Sequence, residues 1–536
     1  MSAFNEFQRT VEKVPANAFL HIPVQASKSY SETAVDYTYA DALEKIILLS
    51  EQYQSAGFGH GQRIALVLDN RADFFLHFQA LNKIGVSVVP VNSGFQIEEM
   101  AYVIDHSDSC LVLSLPDYIE KVKQAISTIK RPILLADTNS MDALPESIAG
   151  ISKIDSGANV EAAVLYTSGT TGEPKGCMIS NDYFVDIGQW YVTIHGYSEL
   201  TYGEERMLTP LPLVHMNALC TMMAMIMSGS CIIQLDRFHP SSWWETVRAS
   251  KATCLHYLGV IPAILLNQPE RPDDKVGDQV KFGFGAGVDP KHLQRFEDRF
   301  GFTLVEGWAM TETGTFISIT THEEPRHIGT RCVGKPLNPV EYLLVDENGK
   351  EVDKGEDGEL LIRAAGDNPR RGFFSGYYKN EEETAKVWEG GYFHTGDVLR
   401  VSEDGSFHFV DRRKNIIRRS GENIAAVEVE NVLFQSNDIA NCAVTPIYDE
   451  MRGEEVGVCT ILSEGISESE ETATRIFEFC REKLVYFKIP AYFIFVSKLP
   501  MTASQKLQRG EIKKLAAGLV EKGECVDLRE LKRKRN

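Results

Sequence analysis

The chain of 536 residues has ten cysteines but no Cys-x-x-Cys pair and no regular cysteine framework. That excludes the common zinc motifs and a disulfide-stapled scaffold, and it fits reduced thiols in a cytoplasmic protein. No run of eighteen apolar residues occurs, so no membrane span is expected. The start, Met1-Ser2-Ala3-Phe4-Asn5-Glu6-Phe7-Gln8-Arg9, lacks the apolar core of a signal peptide. Positive charge is also scarce, with a formal net charge of -20 at pH 7. This argues against nucleic acid as the main partner, because binding a phosphate backbone needs a basic footprint. An anionic ligand must be drawn in by local donors and a metal ion instead. The exception is the basic tail Arg529-Glu530-Leu531-Lys532-Arg533-Lys534-Arg535-Asn536. It reads as a solvated, frayed terminus, with a membrane-surface contact as the lesser alternative.

The composition, 43% hydrophobic and 24% charged, is that of a globular protein, and the length suggests two to four domains. One stretch dominates. Ala162-Ala163-Val164-Leu165-Tyr166-Thr167 reads as a buried strand that empties into Ser168-Gly169-Thr170-Thr171-Gly172-Glu173-Pro174-Lys175-Gly176. Glycines let backbone N–H groups turn inward and hydroxyls add donors, so this loop suits phosphate oxygens. It is not a Walker loop, because Lys175 sits between Pro174 and Gly176.

Before it, apolar Leu43, Ile46, Ile47 and Leu49 suit a helix over 40–53. Strands are expected at 63–68, 86–91 and 110–113, with helices at 74–84 and 98–106 between them, which implies βαβ units on a parallel sheet. Residues 148–159 read as a loop. After the central stretch, two prolines stiffen the approach to His215 in Pro210-Leu211-Pro212-Leu213-Val214-His215. Cys254–Val260 reads as a strand ending in a turn at Ile261-Pro262, and 268–279 as a surface loop. Phe282-Gly283-Phe284-Gly285-Ala286-Gly287 has room for a flat ring against its backbone. Glu306-Gly307-Trp308-Ala309-Met310-Thr311-Glu312 offers a stacking face in Trp308, a donor in Thr311 and a Mg²⁺ ligand in Glu312. Residues 346–358 read as a hairpin tip, and Asp397 follows a tight turn in a position suited to a ribose diol. Asp411–Arg419 then places five cations in nine residues. A small α/β lobe follows, with strands near 440–444, 456–462 and 492–496 and a helix over 470–484.

Taken together, these motifs resemble the adenylate-forming superfamily of acyl-CoA synthetases, nonribosomal adenylation domains and luciferases. The match runs in family order over essentially the whole chain. Thr167–Gly176 carries it most specifically, followed by Tyr392-Phe393-His394-Thr395-Gly396-Asp397 and Asp411-Arg412-Arg413-Lys414. The wording of Glu306–Glu312 and of Thr502-Ala503-Ser504-Gln505-Lys506-Leu507-Gln508 is most similar to crotonobetaine/carnitine–CoA ligases. The resemblance implies an α/β fold with a large N-terminal domain, 1–411, of parallel-rich βα sheets that binds AMP and the acyl group. A small mobile C-terminal α/β domain, 412–536, would be the lid, with its hinge near Lys414. It also implies an ATP-dependent acyl-CoA ligase: a carboxylic acid and ATP give acyl-AMP and pyrophosphate, then coenzyme A gives the thioester and AMP.

On the same resemblance, Thr167, Ser168, Gly169, Thr170, Thr171, Gly172 and Lys175 surround the β- and γ-phosphates. Gly285, Ala286 and Gly287 line the adenine, with Trp308 at the stacking position. Thr311 meets the α-phosphate, and Glu312 with Thr167 holds Mg²⁺. Asp397 and Arg412 hold the ribose. Lys506 bridges the carboxylate and α-phosphate, and His215 sits at the acyl–adenylate junction. Lys414 is the hinge, Gly421 lines the pantetheine passage, and the Arg418–Asn423 face serves thiolation. Trp190, His215, Tyr257, Gly259, Met310 and Thr315 are the acyl-pocket candidates. Two residues depart from the family pattern: Ala309 and Gln505 each stand where glycine is usual. The alternatives are amino-acid adenylation, a luciferase-like oxygenase and an inactive nucleotide-binding regulator. The first is disfavoured because His215-Met216-Asn217 offers no aspartate for a substrate amine. The acid is carnitine- or crotonobetaine-like, or a medium-chain, long-chain or cyclic carboxylic acid. A homodimer is compatible with these readings.

Overall fold

The computed structural model describes residues 1–148, 157, 159–167, 174–419, 422–449, 452–484, 486–501 and 507–533. Among them, strands form a thirteen-stranded, a seven-stranded and a six-stranded sheet.

The seven-stranded sheet has the βαβ start that the sequence suggests. Arg63–Val67, Ser87–Pro90, Leu111–Ser114, Leu134–Asp137 and Glu161–Thr167 run parallel. The strand Lys175–Ser180 returns antiparallel to Glu161–Thr167, and the short strand Gly376–Tyr377 closes the edge. Alternation along a strand sends neighbouring side chains to opposite faces. Ile64 and Leu66 thus enter the main core, while Ala65 and Val67 pack beneath Met100, Val103 and Val122 on the outer helices.

The large sheet is half parallel and half antiparallel. Its parallel part runs through Ala18–Ile22, Cys231–Gln234, Arg206–Thr209, Cys254–His256, Phe282–Gly285 and Thr303–Trp308. From Thr303–Trp308 onward, the strands Ile319–Thr320, Cys332–Pro336, Phe407–Arg412, Phe393–Val401, Asp357–Ala364 and Val340–Val345 are antiparallel. The expectation of a parallel-rich fold thus holds for the first three hundred residues and not for the hairpins after them. The tip at 346–358 does join two antiparallel strands.

Helices Ala72–Lys83, Asn181–Thr193 and Met216–Met227 lie between the two large sheets. Phe74, Phe78, Phe184 and Met222 share one core with Leu66 of one sheet and Leu255 and Phe284 of the other. Met216–Met227 is apolar nearly all round because a sheet or helix covers every side.

After Arg412 the chain changes sheets. Ile416–Arg419, Glu422–Ala425, Ile439–Asp449, Gly453–Leu462, Tyr492–Phe495 and Val526–Asp527 form the third sheet. Helices Ala426–Leu433 and Glu470–Arg481 cover one face and Arg509–Glu521 the other.

Three expectations need correction. The helix at 40–53 forms as Tyr39–Ser55, but it buries Tyr39, Ala42, Ile46, Ser50 and Tyr53. Ile47 is 38% and Leu48 49% exposed, because they fall on the opposite side of the 3.6-residue period. Ile261-Pro262 is not a turn after a strand but part of the helix Val260–Leu266. Proline is tolerated there because the N–H groups of a first turn have no intrahelical acceptor. The basic tail is not simply frayed. Arg529 pairs with Asp449 and Asp527, and Lys532 is only 6% exposed. The Lys532 ammonium lies 2.7 Å from Glu455, whose carboxylate also receives the buried Arg419 guanidinium at 2.7 Å. Residues 534–536 lie outside the described residues.

Removing one member of a buried ion cluster strands the others, at a cost of about 3–5 kcal/mol. Glu455→Gln is expected to destabilise the small lobe by that amount, read by hydrogen exchange on Gly453–Leu462. Burial also pulls Lys532 from 10.5 down to about 8. The unfolded chain therefore holds this proton more tightly, and the cost of burying the ammonium is present below about pH 8 and lifts as pH rises towards 10.5. Compared with Lys532→Met, the wild-type lobe should gain stability across that window in the same exchange measurement.

Candidate functional site

Four neighbouring parallel strands end at one edge of the large sheet: Arg206–Thr209, Cys254–His256, Phe282–Gly285 and Thr303–Trp308. Each leads directly into residues singled out from sequence. The first enters the 210–215 segment with His215, and the second enters Tyr257-Leu258-Gly259. The third enters Ala286-Gly287, and the fourth Ala309–Glu312. The outer carboxyl ends of parallel strands are where α/β folds place ligands.

Glycines form the floor of this edge because backbone and rings press on them. A Cβ on Gly285 would lie 2.4 Å from the Tyr257 carbonyl oxygen and 2.6 Å from its ring. One on Gly259 would lie 1.8 Å from the Gly287 oxygen. Buried Glu306 clamps the turn, accepting the N–H groups of Gly287 at 2.8 Å and Val288 at 3.2 Å and the Tyr257 hydroxyl at 2.6 Å. Burial pushes the Glu306 carboxyl up, and burial with the Glu306 charge pushes the Tyr257 hydroxyl well up, so Tyr257 stays a donor. The Tyr257 hydroxyl is therefore engaged with Glu306, and its ring supports Gly285 from below. The motif resemblance assigns no role to Glu306. Its signal was a carboxylate inside an otherwise apolar strand.

Beside the floor, the Trp308 indole Nε1 donates to Asp397 Oδ2 at 2.9 Å, and Arg412 Nε lies 3.2 Å from Asp397 Oδ1. Asp397 and Arg412 are direct partners across antiparallel strands, so register alone brings them together. The backbone turns just before Asp397 at Gly396, with φ +68°. Trp308, Asp397 and Arg412, far apart in sequence, form one chain of contacts.

A second group joins the two large sheets. Tyr377, on the short edge strand, donates its hydroxyl to Glu312 Oε1 at 2.8 Å. The Lys175 ammonium lies 5.0 Å from the Tyr377 ring centroid and 2.5 Å from Glu383. Thr167 is the direct cross-strand partner of Lys175, so the two ends of the hydroxyl-rich loop are paired. Glu312 is buried, and among the described residues no lysine or arginine forms an ion pair with it. The Cys177 thiol lies beside it, and burial and the Glu312 charge push that thiol well up. Tyr377 and Glu383 were missed from sequence because no motif surrounds them.

The remaining candidates are dispersed around this edge. The Thr311 carbonyl accepts the Tyr183 hydroxyl at 2.8 Å, and the Met310 N–H donates to Thr313 Oγ1 at 2.9 Å. His215 precedes the helix Met216–Met227 and is half-buried. Trp190 is buried edge-on against Phe284 at 6.0 Å, the residue before Gly285. Trp190 Nε1 and Thr315 Oγ1 are buried with no hydrogen-bond partner among the described residues. Ser168, Gly169, Thr170, Thr171, Gly172, Gly421, Gln505 and Lys506 lie outside the described residues, as do the side chains of Lys414, Arg418, Glu422 and Asn423.

The profile of the AMP-binding enzyme family matches residues 7–378, and that of the AMP-binding enzyme C-terminal domain matches 428–506. Similar relatives include the crotonobetaine/carnitine–CoA ligase of Shigella sonnei, 29% identical over 497 residues, covering 89% of this chain and 93% of that one. The Citrobacter koseri protein of the same name is 28% identical over 494 residues, with the same shares covered. Among solved structures, o-succinylbenzoate CoA synthetase (MenE) from Bacillus subtilis, in complex with its acyl-adenylate intermediate, superposes with a TM-score of 0.79 at 22% identity, covering 95% of this chain and 98% of that one. ATP-bound MatB from Rhodopseudomonas palustris gives 0.81 at 21% identity, covering 97% of this chain and 100% of that one. The motif-based resemblance to adenylate-forming enzymes therefore holds, and the chain belongs to the AMP-binding enzyme family.

Proposed function

We propose that this chain is an AMP-forming acid–thiol ligase that joins a carboxylic acid to coenzyme A at the expense of ATP. The observation that carries this reading is buried Glu312. It lacks a cationic side-chain partner among the described residues, and it sits at the same edge as the Trp308–Asp397–Arg412 chain. A buried carboxylate needs a compensating positive charge. Mg²⁺ prefers oxygen ligands, so Glu312, with the Thr167 hydroxyl, fits that ion. When bound, the ion supplies neutralisation of phosphate charge.

In the first step an oxygen of the acid attacks the α-phosphorus and the bond to pyrophosphate breaks. Lys506 stabilises charge developing between the carboxylate and the α-phosphate. Lys175 and the 168–172 loop hold the departing pyrophosphate, and Thr311 holds the α-phosphate. Trp308 and the Gly285–Gly287 turn position the adenine, and Asp397 with Arg412 takes the ribose. Both anions are thereby held in line, which turns a bimolecular reaction into an oriented one. In the second step the thiol of coenzyme A loses its proton, its sulfur attacks the acyl carbonyl, and AMP leaves. We place the boundary between a large domain and a mobile lid at 411/412, where the chain changes sheets, with Lys414 as the hinge and Gly421 on the pantetheine passage. The acid is carnitine- or crotonobetaine-like, as the names of the relatives suggest. His215, Met310, Thr315, Gly259 and Trp190 surround it, Tyr257 supports the floor, and the reaction takes place in the cytoplasm.

With ATP and a substrate acid, AMP and pyrophosphate should appear in equal amounts. ADP and phosphate would reject the mechanism. Pyrophosphate release across carnitine, crotonobetaine, fatty, aryl and alicyclic acids identifies the substrate. Lys506→Ala should abolish acyl-AMP formation yet make thioester from supplied acyl-AMP at close to the wild-type rate; equal loss of both half-reactions contradicts the division of roles. Tyr377→Phe removes the hydroxyl that orients Glu312 and should lower adenylation by about tenfold or more. Raising Mg²⁺ should partly restore it, a response that a merely structural role for Tyr377 would not give.

A further inference from the structure

We infer that His195, His322 and Glu323 form a second metal site, for a first-row transition cation such as Zn²⁺, away from the nucleotide edge. Among the described residues, each offers a ligand atom within 4.8 Å of the other two. Two imidazoles and one carboxylate are a donor set for zinc or its neighbours rather than for Mg²⁺ or Ca²⁺, with a fourth position left to water.

The imidazoles are arranged for ligation. His322 Nδ1 lies 3.1 Å from the Thr320 carbonyl oxygen, and His195 Nδ1 lies 3.4 Å from that of Thr193. A carbonyl only accepts, so the proton sits on Nδ1 and each Nε2 keeps its lone pair. Metal-binding histidines commonly donate their other N–H in this way, which fixes both tautomer and ring orientation.

The two carrying segments are already locked together. The Tyr197 N–H donates to the His322 carbonyl at 2.7 Å, and the Tyr197 hydroxyl donates to Glu324 at 3.0 Å. Gly196, at φ +73°, lets the first segment press so close that a Cβ would lie 2.2 Å from the His322 oxygen. The rings meet edge to face, with centroids 5.3 Å apart. His195 and Glu323 are exposed.

The site is separate from the nucleotide edge. Ile319 pairs with Trp308 and Thr320 with Gly307, and the Thr321 N–H reaches the Glu306 carbonyl. His322 therefore lies towards the amino end of Thr303–Trp308, away from the end that carries Trp308. A bound ion would staple the end of helix Asn181–Thr193 to the segment after Ile319–Thr320.

The test is titration of the full chain with Zn²⁺ alone, without nucleotide, followed by calorimetry and thermal unfolding, with Co²⁺ as a spectroscopic probe. The expected result is one equivalent bound, a rise in Tm, and a cobalt spectrum without thiolate charge transfer. His195→Ala and Glu323→Ala, both at exposed positions, should each weaken binding by about tenfold or more and abolish the rise in Tm. Glu312→Gln should bind as the wild type does. Absence of saturable binding, a thiolate spectrum, unchanged affinity in the His195→Ala/Glu323→Ala double variant, or loss of binding in Glu312→Gln would each overturn the proposal.

Discussion

Parallel pairing forces the carboxyl ends of adjacent strands to one edge, and the candidate site depends on that constraint. Arg206–Thr209, Cys254–His256, Phe282–Gly285 and Thr303–Trp308 are held in register by backbone hydrogen bonds. Their following residues must converge, whatever those residues are. A slip of one residue would turn each side chain to the opposite face and disperse the set. The antiparallel hairpins extend the same logic. Thr303–Trp308 is the last parallel strand, and from it the sheet continues through pairs that bring Asp397 and Arg412 face to face. The change from parallel to antiparallel thus adds residues from late in the chain to an edge built early.

Glu306 and Glu312, two of the buried carboxylates at this edge, differ in a way that separates support from chemistry. Glu306 is satisfied from several sides by two backbone N–H groups and a tyrosine hydroxyl, so it holds a turn and has little capacity left. Glu312 receives the Tyr377 hydroxyl and is flanked by a thiol that burial keeps neutral. A carboxylate left in that state retains acceptor capacity for a cation. The contrast depends on neighbours contributed by distant segments.

This explains what the sequence made legible. The βαβ start, the hairpin tip and the strands of the small lobe were readable because local periodicity and turn residues determine them. Thr167, Lys175, Gly285, Trp308, Glu312, Asp397 and Arg412 stand out in the sequence because each sits in a dense motif. Tyr377 and Glu383 gave no such signal, since their importance comes from register and from a second sheet passing nearby, whereas Glu306 lies in a motif whose other residues drew the roles. Lys532 was misread for a related reason. A lysine in a basic tail looks solvated until Glu455, on the strand Gly453–Leu462, is brought against it. Pro262 was misread because proline breaks a helix interior but not a first turn.

The pairing of Lys175 with Glu383 bears on the phosphate-holding role proposed for Lys175. Thr167 and Lys175 are direct cross-strand partners, so the two ends of the hydroxyl-rich segment are held together. Glu383 belongs to the helix Glu381–Lys386, after the strand that carries Tyr377. The lysine therefore already has a carboxylate partner, and both groups are about one-third exposed, so water screens the pair and it is weak. A polyphosphate carries more charge than one carboxylate and presents more acceptors, so on the proposed function it would displace Glu383 at small cost. On the proposed function, Glu383 would hold Lys175 in place between turnovers, with the ammonium 5.0 Å from the centroid of the Tyr377 ring whose hydroxyl reaches Glu312.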